Sequence, residues 1–440
     1  MSPEASARRL LVIGLDGMPY RLIRDMANSG VMPNTQELIN EGTFRPMTSS
    51  IPEISCVSWS SIMTGENPGV HGIYGFTDLM AGGYGLRFPN FASLKAQPFW
   101  ETREDRRAVI LNVPSTYPAR PMNGIHISGF VAPELERSIF PADVLDRINA
   151  TGYRIDVDSQ KGHSSISLFL EDLNETLDAR IALAEALFEE EDWQTFVLVF
   201  TGTDRLGHFL WAAYEDETHP QHSDFLDHLQ RVDDGVGRLV GRLESDAGVI
   251  MLSDHGFERL DHDVYVNQIL EENGLLRLEP QSQAAGRPGR RGLAAITEDS
   301  VAFALDPGRI YIHAEGRFPR GCVAAGEEDR VAGDLARLFG DLRAGDGPAV
   351  RAVLRRDDIY QGPLIGAAPD LVLVGAKGVN LRGSFRLPSE RADEPFTGKH
   401  SQPDAFLIVR GVGPKAIPEA PNVVDVFGIS ERIVGEGTQP

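Results

Sequence analysis

Three short apolar runs in this 440-residue chain each lead into an aspartate. Leu10 to Leu15 runs into Asp16-Gly17, Phe196 to Phe200 into Thr201-Gly202-Thr203-Asp204, and Val249 to Leu252 into Ser253-Asp254-His255-Gly256. Runs of this kind read as strands buried on both faces of a parallel sheet. Residues just past their carboxyl ends lie where open α/β sheets hold ligands. A buried carboxylate needs a partner, and packing does not explain three of them at one edge; cations are the expected partners. Histidines accompany the carboxylates. His255 adjoins Asp254, His208 follows Asp204 by four positions and shares its face if the stretch is helical, and His400 sits in a Gly-rich loop, Thr397-Gly398-Lys399-His400. Singly these have plain explanations: a capping Asp, a surface Asp/His pair, an exposed loop histidine. Together Asp16, Asp204, His208, Asp254, His255 and His400 offer enough carboxylate and imidazole ligands for two divalent ions of the zinc type.

The elements that must position these residues follow from periodicity. Ala108 to Val113 reads as a further buried strand and Ile125 to Val131 as another. Leu168 to Trp193 and Ser223 to Ser245 are long amphipathic helices that return the chain to the Phe196 and Val249 strands. Tyr20 to Asn40 reads as helix, turn and short helix. Met47 to Ser55 reads as extended, with Pro52 excluding a helix interior. A helix then starts near Ser55 and stops at Gly65, which puts Ser55 either as a plain N-cap or beside amides that favour bound anions. The alternation of strand and helix predicts an α/β fold, a doubly wound, mostly parallel sheet. After residue 275 the character changes. Gln281 to Gly292 is a loop by composition, Val301 to His313 a strand pair, Ala332 to Leu342 a helix, and Val350 to Arg356 and Leu371 to Val374 strands. The expectation is a catalytic core of residues 1–275 and 396–440, with 276–395 as a smaller inserted α+β subdomain or cap. Ala405 to Arg410 returns to the main sheet.

Composition removes several classes. The chain holds 64 acidic and 42 basic residues, a formal charge of −22, which argues against non-specific binding to nucleic acid or anionic membrane. A phosphate substrate stays admissible, because bound cations reverse the field locally. With only Cys56 and Cys322 there is neither a disulfide framework nor a Cys-based zinc module. The stretch Met1 to Arg9 has no signal-peptide pattern, and no apolar run approaches the ~18 residues of a membrane span. The expectation is a cytoplasmic protein without membrane or nucleic-acid partners.

The ordered series Gly14-Leu15-Asp16-Gly17, Ser55 with Thr64-Gly65, Asp204-x-x-x-His208, Ser253-Asp254-His255-Gly256 and Gly398-Lys399-His400 resembles the type I phosphodiesterase/nucleotide pyrophosphatase branch of the alkaline phosphatase superfamily, from Leu11 to about Arg410. Softer matches are Asn67 to Ile73 and Asn267. The resemblance implies an alkaline-phosphatase-like core. It assigns one metal to Asp204, His208 and His400, and the second to Asp16, Asp254, His255 and a nucleophilic hydroxyl. That hydroxyl lies nine residues before a Thr-Gly in the family, which here is Ser55. It further implies hydrolysis of a small phosphodiester or nucleotide pyrophosphate through a phospho-Ser55 intermediate, with the Cys56 amide on a non-bridging oxygen. Zinc suits such mixed Asp/His sites best, and manganese tolerates the same ligands. Departures are Ser55 where most relatives carry Thr, Ser58 where nucleotide pyrophosphatases carry an Asn on the phosphoryl oxygens, and a C-terminus with little room for a further helix.

Rival readings remain. A sulfatase carries Cys-x-Pro-x-Arg, but Cys56 falls one residue late and Ser60 stands where the Arg follows it. A metal-dependent phosphoglycerate mutase shares the metal logic with a different nucleophile context. A phosphomonoesterase of the same superfamily and a non-catalytic phosphate- or metal-binding protein complete the set; a purely structural site needs no hydroxyl ligand. His71, His219, His222 and His228 read as structural, and Asp261-His262-Asp263 as a solvated loop. Trp211 and Tyr214 fit either core packing or a pocket wall. Diester preference is expected, because Arg205 and Lys399, the basic residues within the motifs, project away from the ligand faces. The second ester group is then expected against Trp59, Phe76 and Trp100, unless Arg386 or Arg391 reaches in.

Overall fold

The computed structural model of the protein describes residues 8–279, 292–385 and 395–435. The loop expected over Gln281 to Gly292 lies, apart from Gly292, outside the described residues, as do Arg386, Arg391 and the segment from Met1 to Ala7. The chain divides into two compact units, residues 1–67, 90–258 and 395–440, and residues 68–89 and 259–394. The change of composition after Leu275 therefore falls inside the second unit, which begins its main stretch at Arg259.

The first unit is built on eight strands: β1 (Leu10–Leu15), β2 (Thr43–Met47), β3 (Ala108–Val113), β4 (Gly124–Ser128), β5 (Ile139–Phe140), β6 (Thr195–Phe200), β7 (Gly248–Leu252) and β8 (Ala405–Arg410). Their order across the sheet is β2-β8-β7-β1-β6-β3-β4-β5. The stretch β7-β1-β6-β3-β4 is parallel throughout, and β8, β2 and β5 join antiparallel at its flanks. Every residue of β1, β6 and β7 is buried, as expected of strands covered on both faces. Helices Ile166–Glu190 and His222–Val240 cover the sheet and bury Phe169, Leu173, Leu187, Leu229 and Val236 in its core. In register, Leu15 lies opposite Phe200, and Gly14 opposite Leu252. Asp16, Thr201 and Ser253 therefore leave three adjacent central strands at one level.

Three elements depart from the sequence reading. Thr43–Met47 is a strand, although Pro46 weakens its signal; β2 is an edge strand, where a residue without an N–H is tolerated. Gly398–Ser401, expected as a loop, pairs as a short strand with Gly256–Arg259. The expectation of little room for a C-terminal helix is corrected by Asp425–Gly435. Its 11 residues suffice to bury Val426, Ile429 and Ile433 on one face, and Phe427 comes so close to Gly65 that a Cβ there would lie 2.8 Å from it.

In the second unit, Ala302–Leu305, Arg309–Ile312, Leu371–Gly375 and Val350–Arg355 form an antiparallel sheet in that order. Helix Glu328–Gly340 buries Val331, Leu335 and Phe339 in the same core as Phe303 and Ile310. Arg309 is fully buried and bonded to Asp78 Oδ1 at 2.9 Å and to the Thr77 carbonyl. The solvated loop expected of Asp261-His262-Asp263 is corrected: His262–Tyr265 is a strand paired with Val379–Arg382, where Asp263 meets Arg382, and the Asn267 amide bridges Ala304 and Gly383. His71 is buried and accepts the Ile73 amide at 3.2 Å. These residues are structural.

His126 in β4 and His228 in helix His222–Val240 are fully buried, and burial pushes each imidazole down to about 3. Unfolded, each titrates near pH ~6.5. The folded state thus binds fewer protons than the unfolded one between these values. Stability is complete above pH ~6.5 and falls below it, by about 1.4 kcal/mol per pH unit for each histidine. Urea midpoints measured from pH 7.5 down to 4.5 are expected to drop, and to drop less steeply for His126→Gln. An identical slope in that variant refutes the assignment.

Candidate metal centre

Asp16 follows β1 directly, so the buried strand delivers its carboxylate to the sheet edge. The local sequence prepares this position. Gly14 is the small residue in a strand of large ones, and a Cβ there would lie 2.3 Å from the Trp59 ring. Its absence lets Trp59 lie on the sheet and donate Nε1–H to Asp16 Oδ2 at 3.2 Å. Trp59 stands four residues after Ser55 on helix Ser55–Thr64, so the two share a face. The helix N-cap is Ile54, in extended conformation, and Ser55 is the first helical residue. The Ser55 hydroxyl therefore does not cap the helix. It lies 3.3 Å from Asp16 Oδ1 and 3.3 Å from His255 Nε2.

Asp204 and His208 lie on helix Gly202–Glu215, which begins just beyond β6. Asp254 and His255 follow β7, and His400 lies on the strand Gly398–Ser401. The close approach of that strand requires Gly398, where a Cβ would lie 2.4 Å from the Gly207 carbonyl. All six residues converge. Asp204 Oδ1 is 3.1 Å from His400 Nε2, 3.5 Å from His208 Nε2 and 4.0 Å from His255 Nε2. His255 Nε2 is 3.4 Å from Asp254 Oδ2 and 3.6 Å from Asp16 Oδ1. Asp204, His255 and His400 form one group able to hold a metal ion, and Asp16, Asp254 and His255 another, so His255 is common to both.

The donor set fits cations on its hydrogen bonding alone. Each imidazole places Nδ1 on a backbone carbonyl: His208 on Gly398 at 3.2 Å, His255 on Gly256 at 3.0 Å and His400 on Glu53 at 3.0 Å. A carbonyl only accepts, so each Nδ1 carries the proton and each Nε2 a lone pair. The His208 and His400 Nε2 atoms are 3.0 Å apart. Asp254 Oδ2 is buried with no hydrogen-bond partner. Several acceptors thus converge on one buried space, and divalent cations satisfy them.

Electrostatics agrees. Burial, and then the charges of Asp254 and Asp204, push the Asp16 carboxyl well above its ordinary value. Burial also raises Asp254, to about 7, with Asp204 adding to the shift. Burial pushes His255 down to about 4 and lowers His208 and His400. Burial opposes the Asp204 charge, yet His208, His400 and Arg205 outweigh it and hold this carboxyl well below the usual range.

The chain matches the model of the type I phosphodiesterase/nucleotide pyrophosphatase family over residues 10–402. It belongs to that family. No curated protein matches it by sequence. Its fold is similar to that of phosphonoacetate hydrolase from Sinorhizobium meliloti, solved in complex with phosphonoformate, at 18% identity and a TM-score of 0.64 over 98% of this chain and 96% of that one. It is also similar to murine ectonucleotide pyrophosphatase/phosphodiesterase 5, at 13% identity and a TM-score of 0.56 over 97% and 95%. The fold is thus alkaline-phosphatase-like, and the family is a group of metal-dependent hydrolases.

Other sequence expectations take different positions. Arg205 does not turn away from the ligands: its guanidinium bonds Asp204 Oδ2 at 2.9 Å and Asp156 Oδ2 at 2.8 Å, because a long side chain can curl back along the helix. Lys399 is buried against Glu258 at 2.9 Å. Ser58 is fully buried, with its hydroxyl 3.0 Å from that of Ser49 and 2.7 Å from that of Ser50. Ser49 in turn donates to the Asp254 carbonyl at 2.6 Å, so this hydroxyl cluster braces the second ligand strand. Cys56 follows Ser55 on the helix, its side chain buried with Ile54 and Val57. Trp59, Trp100 and Trp211 are core residues, which corrects the pocket wall expected of Trp59 and Trp100. Phe76 belongs to the second unit and is partly exposed. Sequence reasoning missed Trp59 and Gly14 as supports of Asp16, although the one-turn spacing from Ser55 and the lone small residue in β1 signalled both.

Two outcomes are expected of purified protein. Elemental analysis should find two divalent ions per chain, and a protein active without stoichiometric metal refutes this. Stability should also couple to metal through Asp254, whose carboxyl is raised to about 7 in the fold against about 3.9 unfolded. The chelated folded protein then binds a proton there that the unfolded chain does not, so this carboxyl's contribution to stability falls as pH rises through the interval, opposite in sign to that of the buried histidines. Cations take the place of that proton. The Tm gap between metal-loaded and chelated protein should widen from pH 5 to pH 8, and a constant gap in thermal scans rules this out.

Proposed function

We propose that the protein hydrolyses phosphodiester or nucleotide pyrophosphate bonds of small substrates through a covalent phospho-Ser55 intermediate. The observation that carries this reading is the Ser55 hydroxyl, set at a helix N-terminus beside a convergence of acceptor atoms, one of which, Asp254 Oδ2, is buried with no donor. Asp204, His208 and His400 would hold one divalent ion, and Asp16, Asp254, His255 and Ser55 the other. When bound, two such ions lower the pKa of the attacking hydroxyl and neutralise charge on the leaving oxygen. Zinc suits the ligands, and manganese tolerates them.

The residues themselves do the following. Ser55 Oγ attacks phosphorus, its proton passing to the neighbouring carboxylate of Asp16, and the bond from phosphorus to the leaving oxygen breaks. Trp59 keeps Asp16 oriented through its other oxygen. The amide of Cys56, in the first turn of the helix, suits a non-bridging phosphoryl oxygen. Water then attacks the phospho-serine from the opposite side, the Oγ–P bond breaks, the proton held on Asp16 returns to Ser55 Oγ, and the proton that the water loses balances the one the departed oxygen takes up.

Diester preference is supported by the state of the basic side chains of the motifs. A monoester dianion carries an additional charged oxygen and calls for a further cation. The Arg205 guanidinium is committed to Asp204 and Asp156, and the Lys399 ammonium to Glu258. The same reasoning disfavours phosphonoacetate, the ligand of a second structure of the bacterial neighbour.

Ser55→Ala is expected to lower kcat by at least about a thousandfold with the fold and both metals retained. Should Cys56→Ala abolish turnover and Ser55→Ala spare it, the sulfatase chemistry applies instead. On metal-reconstituted enzyme, kcat/KM for bis-p-nitrophenyl phosphate or a nitrophenyl ester of thymidine 5′-monophosphate should exceed that for p-nitrophenyl phosphate and for phosphonoacetate. The reverse order overturns the substrate class.

A further inference from the structure

The three carboxylates of the site differ in what holds the oxygen each turns away from the imidazoles or shares with the backbone. Asp16 Oδ2 receives the Trp59 indole N–H, and Asp254 Oδ1 receives the Gly17 amide at 3.1 Å. Asp204 Oδ2 instead receives a guanidinium, that of Arg205, at 2.9 Å. This pairing of sequence neighbours is not what a helix provides by itself, since adjacent residues point about 100° apart. It requires something to draw the guanidinium back. Asp156 does so, accepting from Arg205 Nη2 at 2.8 Å and Nε at 3.3 Å through a single oxygen.

Asp156 is itself fixed. Its other oxygen receives the Val157 amide at 3.0 Å and the Thr201 hydroxyl at 3.3 Å. Thr201 is buried at the end of β6 and accepts from the fully buried Arg180 at 3.0 Å. Arg180 reaches across from helix Ile166–Glu190 and also bonds the Ile155 carbonyl at 2.6 Å. The Phe130 ring lies 4.6 Å from the Arg205 guanidinium carbon. The guanidinium is thus held at both ends and against an aromatic surface.

We propose that Arg205, clamped by Asp156, is a positioning residue: it makes Asp204 a one-oxygen ligand, with Oδ1 committed to the His208/His400 metal position. A carboxylate with both oxygens free can swing about its last torsion or chelate through both. With Oδ2 tied to Arg205, only Oδ1 faces the imidazoles, 3.1 Å from His400 and 3.5 Å from His208. The clamp acts on one of the two proposed metal positions, because Asp16 and Asp254 have no such partner among the described residues. Outer partners of this kind typically contribute about 10–100-fold in metal affinity.

This inference rests on the two-metal reading, and the test separates them. Protein stripped of metal is titrated with zinc in competition with a chromophoric chelator. Wild type that fails to bind two ions sinks the functional reading itself. With two ions bound, Arg205→Met is expected to weaken one affinity at least about tenfold and leave the other unchanged, and Asp156→Asn should weaken the same one. Arg205→Lys, able to reach one carboxylate but not to bridge two, should fall between. In an Asp204→Ala background, which removes the carboxylate through which it acts, Arg205→Met should weaken neither position further, and a further loss there overturns the proposal. The direction discriminates between causes. Removing a positive charge beside a cation site would by charge alone tighten binding, and a purely structural role would weaken both positions alike. Tighter or unchanged binding in folded Arg205→Met, or equal loss at both positions, overturns the proposal. If Arg205→Met fails to fold by circular dichroism, Asp156→Asn decides by the same criterion.

Discussion

The structure of the first unit depends on one unfavourable gathering: carboxylates and imidazole lone pairs brought together where water is scarce. Asp16, Asp204, Asp254 and His255 are almost wholly buried, and burial disfavours charge on every one of them, an effect outweighed only at Asp204, by His208, His400 and Arg205. Left as acceptors alone, such groups oppose folding. Divalent cations turn the same arrangement into a favourable one, so the residues that make the fold costly are those proposed to carry the chemistry.

Maintaining that gathering explains features that packing alone would not require. Gly14 leaves space for Trp59, and Trp59 holds Asp16. Gly398 allows the His400 strand to approach helix Gly202–Glu215. Three backbone carbonyls, from Glu53, Gly256 and Gly398, fix the imidazole tautomers so that the Nε2 lone pairs face inward. The hydroxyls of Ser49, Ser50 and Ser58 tie the segment before the Ser55 helix to the carbonyl of Asp254. The catalytic serine proposed here therefore sits on a rigid support, as precise positioning of a nucleophile demands.

The surroundings of Arg205 and Lys399 bear on selectivity. Each is a basic side chain near the site, and each is neutralised by a carboxylate, Asp156 with Asp204 in one case and Glu258 in the other. The positive charge of these two side chains is thus turned to organising ligands and strands, and is not left available for an additional anionic oxygen.

The α/β class, the buried parallel strands and the aspartates at their ends were legible in the sequence, because a strand covered on both faces must be continuously apolar and the polar residue that ends it is conspicuous. The family resemblance was legible for the same reason: ligand motifs stand at fixed places relative to such strands. Weak edge elements were not legible. Pro46 disguised β2, and Gly398–Ser401 has too few apolar residues to announce a strand. Nor could local sequence place Trp59 in the core beside Asp16, make Ser55 the first residue of its helix and not the cap, or bend Arg205 back onto Asp204. Those outcomes depend on Gly14, Ile54 and Asp156, residues distant in sequence or silent in pattern. Periodicity determines which way an element faces. Which atom of a long or polar side chain meets which partner is set by hydrogen bonds between strands that only the folded chain brings together.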